Sequence, residues 1–300
     1  MIKNLSAPKI SVVVNFYNMR REAERTLFSL TPQYQRGVHG DDYEVIAIDN
    51  GSTEPLEENR VKSFGGNFHY IYFKADSPSP CAAINHAINK ARARFVMCCI
   101  DGARILSPGI LKYALAASQL HEHSFIYTIG MHLGPEPQNY LVSDGYNQQV
   151  EDRLIRTVNW RGNGYELFKI SSIALSSKNG FYSLINESNC FMMRKDDLIG
   201  IGGFDERFTS PGGGVVNLDV FNIVHEDKKF SPVLLLGEAT FHQFHHGVAT
   251  NVPMKDHPWS KMMQEYALIK GKPFKHSHRQ PEYYGWLSLE YHAKLMSVES

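Results

Sequence analysis

No apolar stretch in this 300-residue sequence approaches the roughly 20 residues that a helical membrane span requires, and the opening Met1-Ile2-Lys3-Asn4-Leu5-Ser6 lacks a signal-type apolar core. The expected compartment is therefore the cytoplasm, without a membrane span. An excess of one charge is missing as well. Lys plus Arg and Asp plus Glu stand at 31 each, so no general basic field exists to draw nucleic acid or anionic lipid. Cysteine is scarce: Cys81, Cys98, Cys99 and Cys190 include no C-x-x-C pair, which argues against a zinc cluster. Neighbours on a strand point to opposite faces, so these thiols read as reduced packing residues. Repeats and low-complexity tracts are absent. What is present, 43% hydrophobic and 21% charged residues, is enough to bury a large core in one domain with extensions.

Strand and helix patterns alternate up to about residue 131, the pattern of a largely parallel sheet covered on both faces. Strands are predicted at Ile10 to Asn15, Tyr43 to Ile48, Phe68 to Phe73, Phe95 to Ile100 and Phe125 to Met131. Helices are expected over Glu22 to Leu30, around Asn85 to Ala93, and from Pro108 onward, the last carrying Leu111, Leu115 and Leu120 toward the core. Gly134-Pro135-Glu136-Pro137 and the polar stretch to Gln149 favour a loop. Residues 132–185 read as an insertion whose aromatics, Tyr140, Tyr146, Trp160 and Tyr165, make it an acceptor or lid candidate, or simply a packed loop. A domain over 1–250 and a helical extension over 251–300 are expected, with helices around Ser260 to Lys270 and Trp286 to Met296.

Two strands end on acids. Phe95-Val96-Met97-Cys98-Cys99-Ile100 runs into Asp101, and Tyr43-Glu44-Val45-Ile46-Ala47-Ile48 into Asp49-Asn50-Gly51-Ser52-Thr53, where Gly51 permits a sharp turn. In open α/β sheets ligands bind outside the carboxyl ends of strands, so both acids are candidates for holding a metal or polar ligand. These segments resemble family 2 glycosyltransferases of the GT-A fold, whose first strand, Asp-Asp-Gly-Ser turn and later Asp-x-Asp motif occur in this order. Asn85-His86-Ala87-Ile88-Asn89-Lys90-Ala91-Arg92-Ala93 is similar to the helix preceding the family's metal strand, and Gly202-Gly203-Phe204-Asp205-Glu206 to a segment near its acceptor side. The resemblance covers about the first 250 residues. It implies a Rossmann-like, mixed, mostly parallel sheet with helices on both faces. The activity it implies is transfer of a sugar from a nucleotide-sugar donor, with a UDP-sugar preferred, to a glycan, lipid-linked or small-molecule acceptor.

Breaking the glycosidic bond to a nucleotide diphosphate builds charge on the leaving group, which a divalent cation, Mn2+ or Mg2+, usually stabilises. Asp101 would supply one oxygen ligand. The family's second Asp is replaced here by Ala103, followed by Arg104, which could pair with phosphate oxygens instead. Asp101 could also merely cap the turn into the helix that starts at Pro108. After an apolar strand, Val233 to Leu236, comes Phe241-His242-Gln243-Phe244-His245-His246-Gly247, similar to a His-x-x-His segment of some family members. On an extended chain His242 and His246 share a face; on a helix His242 meets both His245 and His246. Both geometries stay open, with His242 and His245 the preferred metal ligands.

Inversion also needs a base for the acceptor hydroxyl. The resemblance puts that position on Asn217, after Pro211-Gly212-Gly213-Gly214, and an amide cannot take a proton. Asp219 and Glu187 are the substitutes. The resemblance further places Asp49 on the base or ribose, Phe16, Tyr17 and Asn18 around the same pocket, and Asp76 and Asn85 by the ribose and diphosphate. Two other readings compete. One is a degenerate member that binds nucleotide sugar without efficient turnover, favoured by Ala103 and Asn217. The other is a nucleotidyltransferase, opposed by the lack of a Gly-rich, Lys-containing loop after the first strand.

Overall fold

The computed structural model describes residues 7–288 apart from 179, 183 and 186–188. In chain order, β1 (Ile10–Phe16), α1 (Arg20–Phe28), β2 (Tyr43–Asp49), α2 (Glu58–Lys62), β3 (Phe68–Tyr72), α3 (Cys81–Lys90) and β4 (Phe95–Cys99) complete the alternating half. β5 (Arg104–Leu106), α4 (Ile110–Ala117) and β6 (Ser124–Leu133) follow. Next come α5 (Gln138–Leu141), α6 (Gln148–Ile155), β7 (Ser171–Ile173), β8 (Cys190–Arg194) and α7 (Lys195–Gly200). The described chain closes with α8 (Val216–Glu226), β9 (Ser231–His242), α9 (Trp259–Lys270) and β10 (Glu282–Gly285).

The main sheet runs β10-β9-β6-β8-β4-β1-β2-β3, with β5 also on β9 and β7 on β6. Within the main path every pairing is parallel except the two made by β8. This is the mixed, mostly parallel α/β sheet expected of a GT-A fold. Strand alternation sorts the core: Val13, Ile46, Ile48, Val96 and Cys98 face one layer with α3 and α8, while Val12, Val14, Val45, Ala47, Met97 and Cys99 face the other with α1 and α4. Cys98 and Cys99 thus do point apart. All four cysteines are buried and none is in a disulfide.

Three expectations change. The helix after Pro108 ends at Ala117, so Leu111 is buried but Leu120 lies beyond it, 43% exposed. The polar stretch up to Gln149 is not a plain loop: β6 continues to Leu133, α5 follows, and α6 begins at Gln148, capped by the Asn147 side chain. Of the four aromatics singled out in residues 132–185, Tyr146 and Trp160 are buried, Tyr165 is half-buried and donates to Glu238 at 2.7 Å, and only Tyr140 is well exposed. The strand at Val233 to Leu236 is longer than expected, running on through an irregular register to His242. Gly237, with φ +76°, lies in this irregular stretch, where a side chain would be strained. α9 matches the first C-terminal helix and closes on Gly271 in the left-handed region. Of the second, Trp286 to Ser288 are described and not helical, and residues beyond 288 lie outside the described part.

Candidate functional site

The end of β4 and the end of β9 meet through β5, which pairs antiparallel with β9 and sets Arg104 opposite His242. Asp101 sits in the turn between β4 and β5. Its Oδ1 accepts the Ala103 backbone N–H at 2.9 Å, so it ties the β4–β5 turn and not the turn into the helix after Pro108, whose start has no side-chain cap. Its Oδ2 lies 3.0 Å from His242 Nε2, and Oδ1 lies 3.7 Å from His245 Nε2. The two imidazole Nε2 atoms are 3.2 Å apart. Neighbouring ligand atoms about 2.1 Å from a cation stand roughly 3.0 to 3.4 Å apart at octahedral or tetrahedral angles. The 3.0 and 3.2 Å spacings match that range, and the 3.7 Å one exceeds it by about 0.3 Å, so one divalent ion bound by an oxygen and two nitrogens needs only a small closure of His245 onto Asp101. Among the described residues this is the group of His, Cys, Asp and Glu side chains arranged to hold one.

The surroundings fit that chemistry. Burial opposes ionisation of Asp101, yet His245, His242 and Arg104 outweigh it and hold the carboxyl well below its usual range. Burial pushes His242 down to about 4 despite Asp101, leaving a neutral imidazole near pH 7. His242 Nδ1 is bonded to Gln138 Oε1 at 2.8 Å, an outer partner of the kind that orients a metal-binding imidazole. Between the two geometries left open for the histidines, the structure takes neither: the strand ends at His242 and the chain turns, bringing His245 back. His246 has φ +62°, is exposed, and packs its ring against Phe244 at 5.0 Å.

Ala103 and Arg104 do not present themselves to a ligand. The Ala103 methyl is fully buried in the core layer of β1 and α4, so a carboxylate there would face apolar side chains rather than the Asp101 oxygens. Arg104 is 3% exposed. Its Nε is 3.5 Å from Asp101 Oδ2, too poorly placed for a hydrogen bond, and Nη1 reaches Thr240 Oγ1 at 3.4 Å. The guanidinium therefore acts on Asp101 from beneath instead of projecting toward phosphate.

The other expected residues are placed variously. Asp49 is fully buried, its two oxygens accepting the Ser52 and Leu56 backbone N–H groups at 2.9 Å each, so it ties down the turn after β2. The Phe16 ring is also fully buried, directly against Gly102. Tyr17 and Asn18 are exposed, and Asn18, with φ +51°, accepts Thr53 N at 2.9 Å. Asp76 is exposed. Asn85 copies a backbone partner: it donates to Phe204 O at 2.8 Å and accepts from Phe204 N at 2.9 Å, pinning the Gly202-Gly203-Phe204 segment to α3.

Asn217 and Asp219 diverge around α8. Asn217 Nδ2 is 3.5 Å from Asn189 Oδ1, whereas Asp219 pairs with Lys270 at 2.7 Å, and Lys270 with Asp205 at 3.1 Å. Burial raises the Asp219 pKa, partly offset by Lys270. Asp205, Asp219 and Lys270 line a cavity of about 420 Å³ with Asn85 and Arg207, which none of Asn217, Asp101, His242 and His245 borders. Its charges are closed on one another, so the triad, with its ion-sized spacing, defines the site instead. Glu187 lies outside the described residues.

Residues with no sequence signal complete the site: Gln138, Asn251 and Thr250, the last with its hydroxyl 3.2 Å from His242 Nε2. Gln138 and Asn251 are 104 and 113 residues away from the groups they contact across the site. No periodicity or motif connects such separations.

Comparison with known proteins agrees with this architecture. The family model described as glycosyl transferase family 2 matches residues 11–198, which includes Asp49 and Asp101 but stops short of Asp219 and the histidines. Among solved structures, S. aureus TarS 1-349 in complex with UDP is similar with a TM-score of 0.52 at 18% identity, covering 90% of this chain and 68% of that one. The same fragment with UDP-GlcNAc gives 0.50 at 16% identity, covering 90% and 69%. For the longer S. aureus TarS chain the TM-score is 0.53 at 15% identity, with 90% of this chain but 41% of that one covered. At these identities the likeness is one of fold. No curated protein matches the sequence.

Proposed function

The chain belongs to glycosyl transferase family 2, and from that premise we propose that it moves a sugar, with inversion, from a nucleotide-diphosphate donor to a hydroxyl-bearing acceptor at the mouth of β4 and β9. The observation that carries this reading is the Asp101–His242–His245 triangle at the carboxyl ends of the strands. A divalent cation held by these three residues would supply charge stabilisation to the departing diphosphate. In this reading Asp-Gly-Ala-Arg is a modified metal motif in which His242 and His245 stand in for the absent second acid. Arg104 keeps Asp101 ionised from below. In this reading Tyr17, exposed just after the β1 end, stacks on the nucleobase. The preferred donor is a UDP-sugar, an extension supported by the fold likeness to a TarS fragment complexed with UDP and UDP-GlcNAc. The acceptor is a glycan, a lipid-linked sugar or a small molecule. The cytoplasm is the compartment this reading takes, and no described helix is long and apolar enough to cross a membrane.

Inversion requires a proton acceptor. Asp219 is the base this reading assigns, its raised pKa suiting the role, which it takes only when Lys270 releases it and the acceptor spans from its cavity to the triad. A second reading, a nucleotide-sugar binder with little turnover, is favoured by the amide at Asn217 and by the ion pair that occupies Asp219. Thermal shift with UDP, GDP and UDP-GlcNAc, with and without Mn2+, followed by nucleotide release from the sugars, tests both. UDP with Mn2+ should raise the melting temperature by mass action, and His242→Ala should remove the Mn2+-dependent part. Asp219→Asn should then lower nucleotide release on the order of 10²–10⁴-fold with donor binding intact. Tight binding without release, in wild type and in Asn217→Asp, selects the binder. No shift with any nucleotide rejects both.

A further inference from the structure

Gln138, at the first position of α5, is fully buried and makes contacts that fix its own orientation. Its Nε2 donates to two backbone carbonyls, Leu133 O at 3.2 Å and His242 O at 3.1 Å. Carbonyls only accept, so the amide cannot be turned over and Oε1 is committed to the opposite side. There it meets Asn251 Nδ2 at 2.7 Å and His242 Nδ1 at 2.8 Å. Asn251 is fixed by the same logic. Its Oδ1 accepts the His245 and Gly247 backbone N–H groups at 3.0 and 2.9 Å, which only donate, so its Nδ2 must face Gln138. Every link in the chain is thus anchored on a main-chain group whose role is not negotiable.

The consequence falls on His242. An amide oxygen brings no proton to the contact, so the 2.8 Å approach is a hydrogen bond only when Nδ1 carries it. In the neutral ring Nε2 is then a lone pair, aimed at the space between Asp101 Oδ2 and His245 Nε2. The opposite tautomer would place an Nε2–H on Asp101 and close the site with an internal hydrogen bond, occupying two ligand atoms at once. We propose that Gln138 is a positioning residue that wins this competition for the His242 proton and so keeps both Nε2 and Asp101 open to a divalent cation. This rests on the cation-site reading given above for its function, though not for its geometry. His132, whose ring is 5.1 Å from that of His242, supplies an internal reference. Its Nδ1 accepts the Gln138 backbone N–H at 3.0 Å, so neutral His132 must hold its proton on Nε2, opposite to His242.

The test uses the full chain, labelled with 15N at histidine, without metal and then titrated with Mn2+. In the metal-free wild type His242 should be protonated on Nδ1 and His132 on Nε2. Gln138→Met should move the His242 proton to Nε2 and weaken Mn2+ binding about 10- to 100-fold, the range typical of lost outer partners. Gln138→Glu, protonated in this buried position, keeps an acceptor for Nδ1–H and one donor for the carbonyls of Leu133 and His242, and should restore Mn2+ affinity to within a few fold of wild type. A wild-type His242 protonated on Nε2 overturns the proposal, and this measurement stands even where Gln138→Met fails to fold. So does equal weakening by Met and Glu, which would make Gln138 a packing residue only. If His242→Ala binds Mn2+ as wild type does, or neither binds, the cation-site reading fails separately, and the His242 tautomer alone then decides for or against Gln138.

Discussion

Gly102 and Asp49 set the residue scale, because each is determined by what surrounds it. A Cβ on Gly102 would overlap the Phe16 ring and the Asn15 carbonyl oxygen, so the turn carrying Asp101 exists only with glycine there. Gly102→Ala should cost ~1–3 kcal/mol, the usual range for forcing a methyl into a packed region, read as a lowered midpoint in urea. Asp49 and Asp101 look alike in sequence, both closing a strand, but they should fail differently. Asp49→Ala strands two buried N–H groups, Ser52 and Leu56, and should lower stability by ~1–3 kcal/mol or more with or without Mn2+. Asp101→Ala should instead abolish Mn2+ binding, and it too should cost stability, because it removes the acceptor of the Ala103 N–H and the counter-charge of the buried Arg104. Calorimetric titration of the two variants separates them, and loss of Mn2+ binding in both would remove the distinction.

At the scale of elements, β9 passes through the interior carrying Glu238. This carboxylate is 1% exposed and accepts from the Ser107 hydroxyl, Tyr165 Oη at 2.7 Å and Gly109 N at 3.2 Å. Burial nonetheless raises its pKa from 4.5 to about 7. The folded state therefore holds a proton that the unfolded chain has already released between about pH 4.5 and 7, and over that window stability falls as pH rises. Above about 7 the loss is complete, on the order of 3 kcal/mol at 1.36 kcal/mol per unit. Glu238→Gln should match the wild type near pH 5, flatten the fall from this residue, and be the more stable protein at pH 8. Urea midpoints across that range check it, and parallel wild-type and variant curves would contradict it.

Over the whole molecule, the C-terminal segment is joined to the sheet rather than appended to it. β10 adds a parallel edge strand to β9, and α9 closes over the turn before α8, where Glu265 accepts Thr209 N and Ser210 N at 2.9 Å each. Lys270 bridges Asp205 and Asp219 from the end of the same helix. Lys270→Met leaves two acids close together, one of them in a largely buried setting, and should destabilise by roughly 2–4 kcal/mol near pH 7. Asp219→Asn added to Lys270→Met should recover part of that loss, because it removes the charge left without a partner. Thermal melts of the single and double variants measure the coupling, and strictly additive effects would argue against a shared ion network.

The alternating order of strands and helices, the family, the strand ends at Asp49 and Asp101 and a helix around Ser260 to Lys270 were legible in the sequence. Hydrophobic period, turn chemistry and capping are local, so neighbouring residues report them. Which way a strand-end side chain faces is not local. Asp49 turned inward because the following turn bends two N–H groups back onto it. Ala103 entered the core because β5 pairs with β9, and His245 returned to Asp101 because the chain turns after β9 ends at His242. Gln138 reached His242 from 104 residues away only once β6 and β9 lay side by side. Pairing register and tertiary packing decide such meetings, since they bring together groups whose separation along the chain carries no periodic signature.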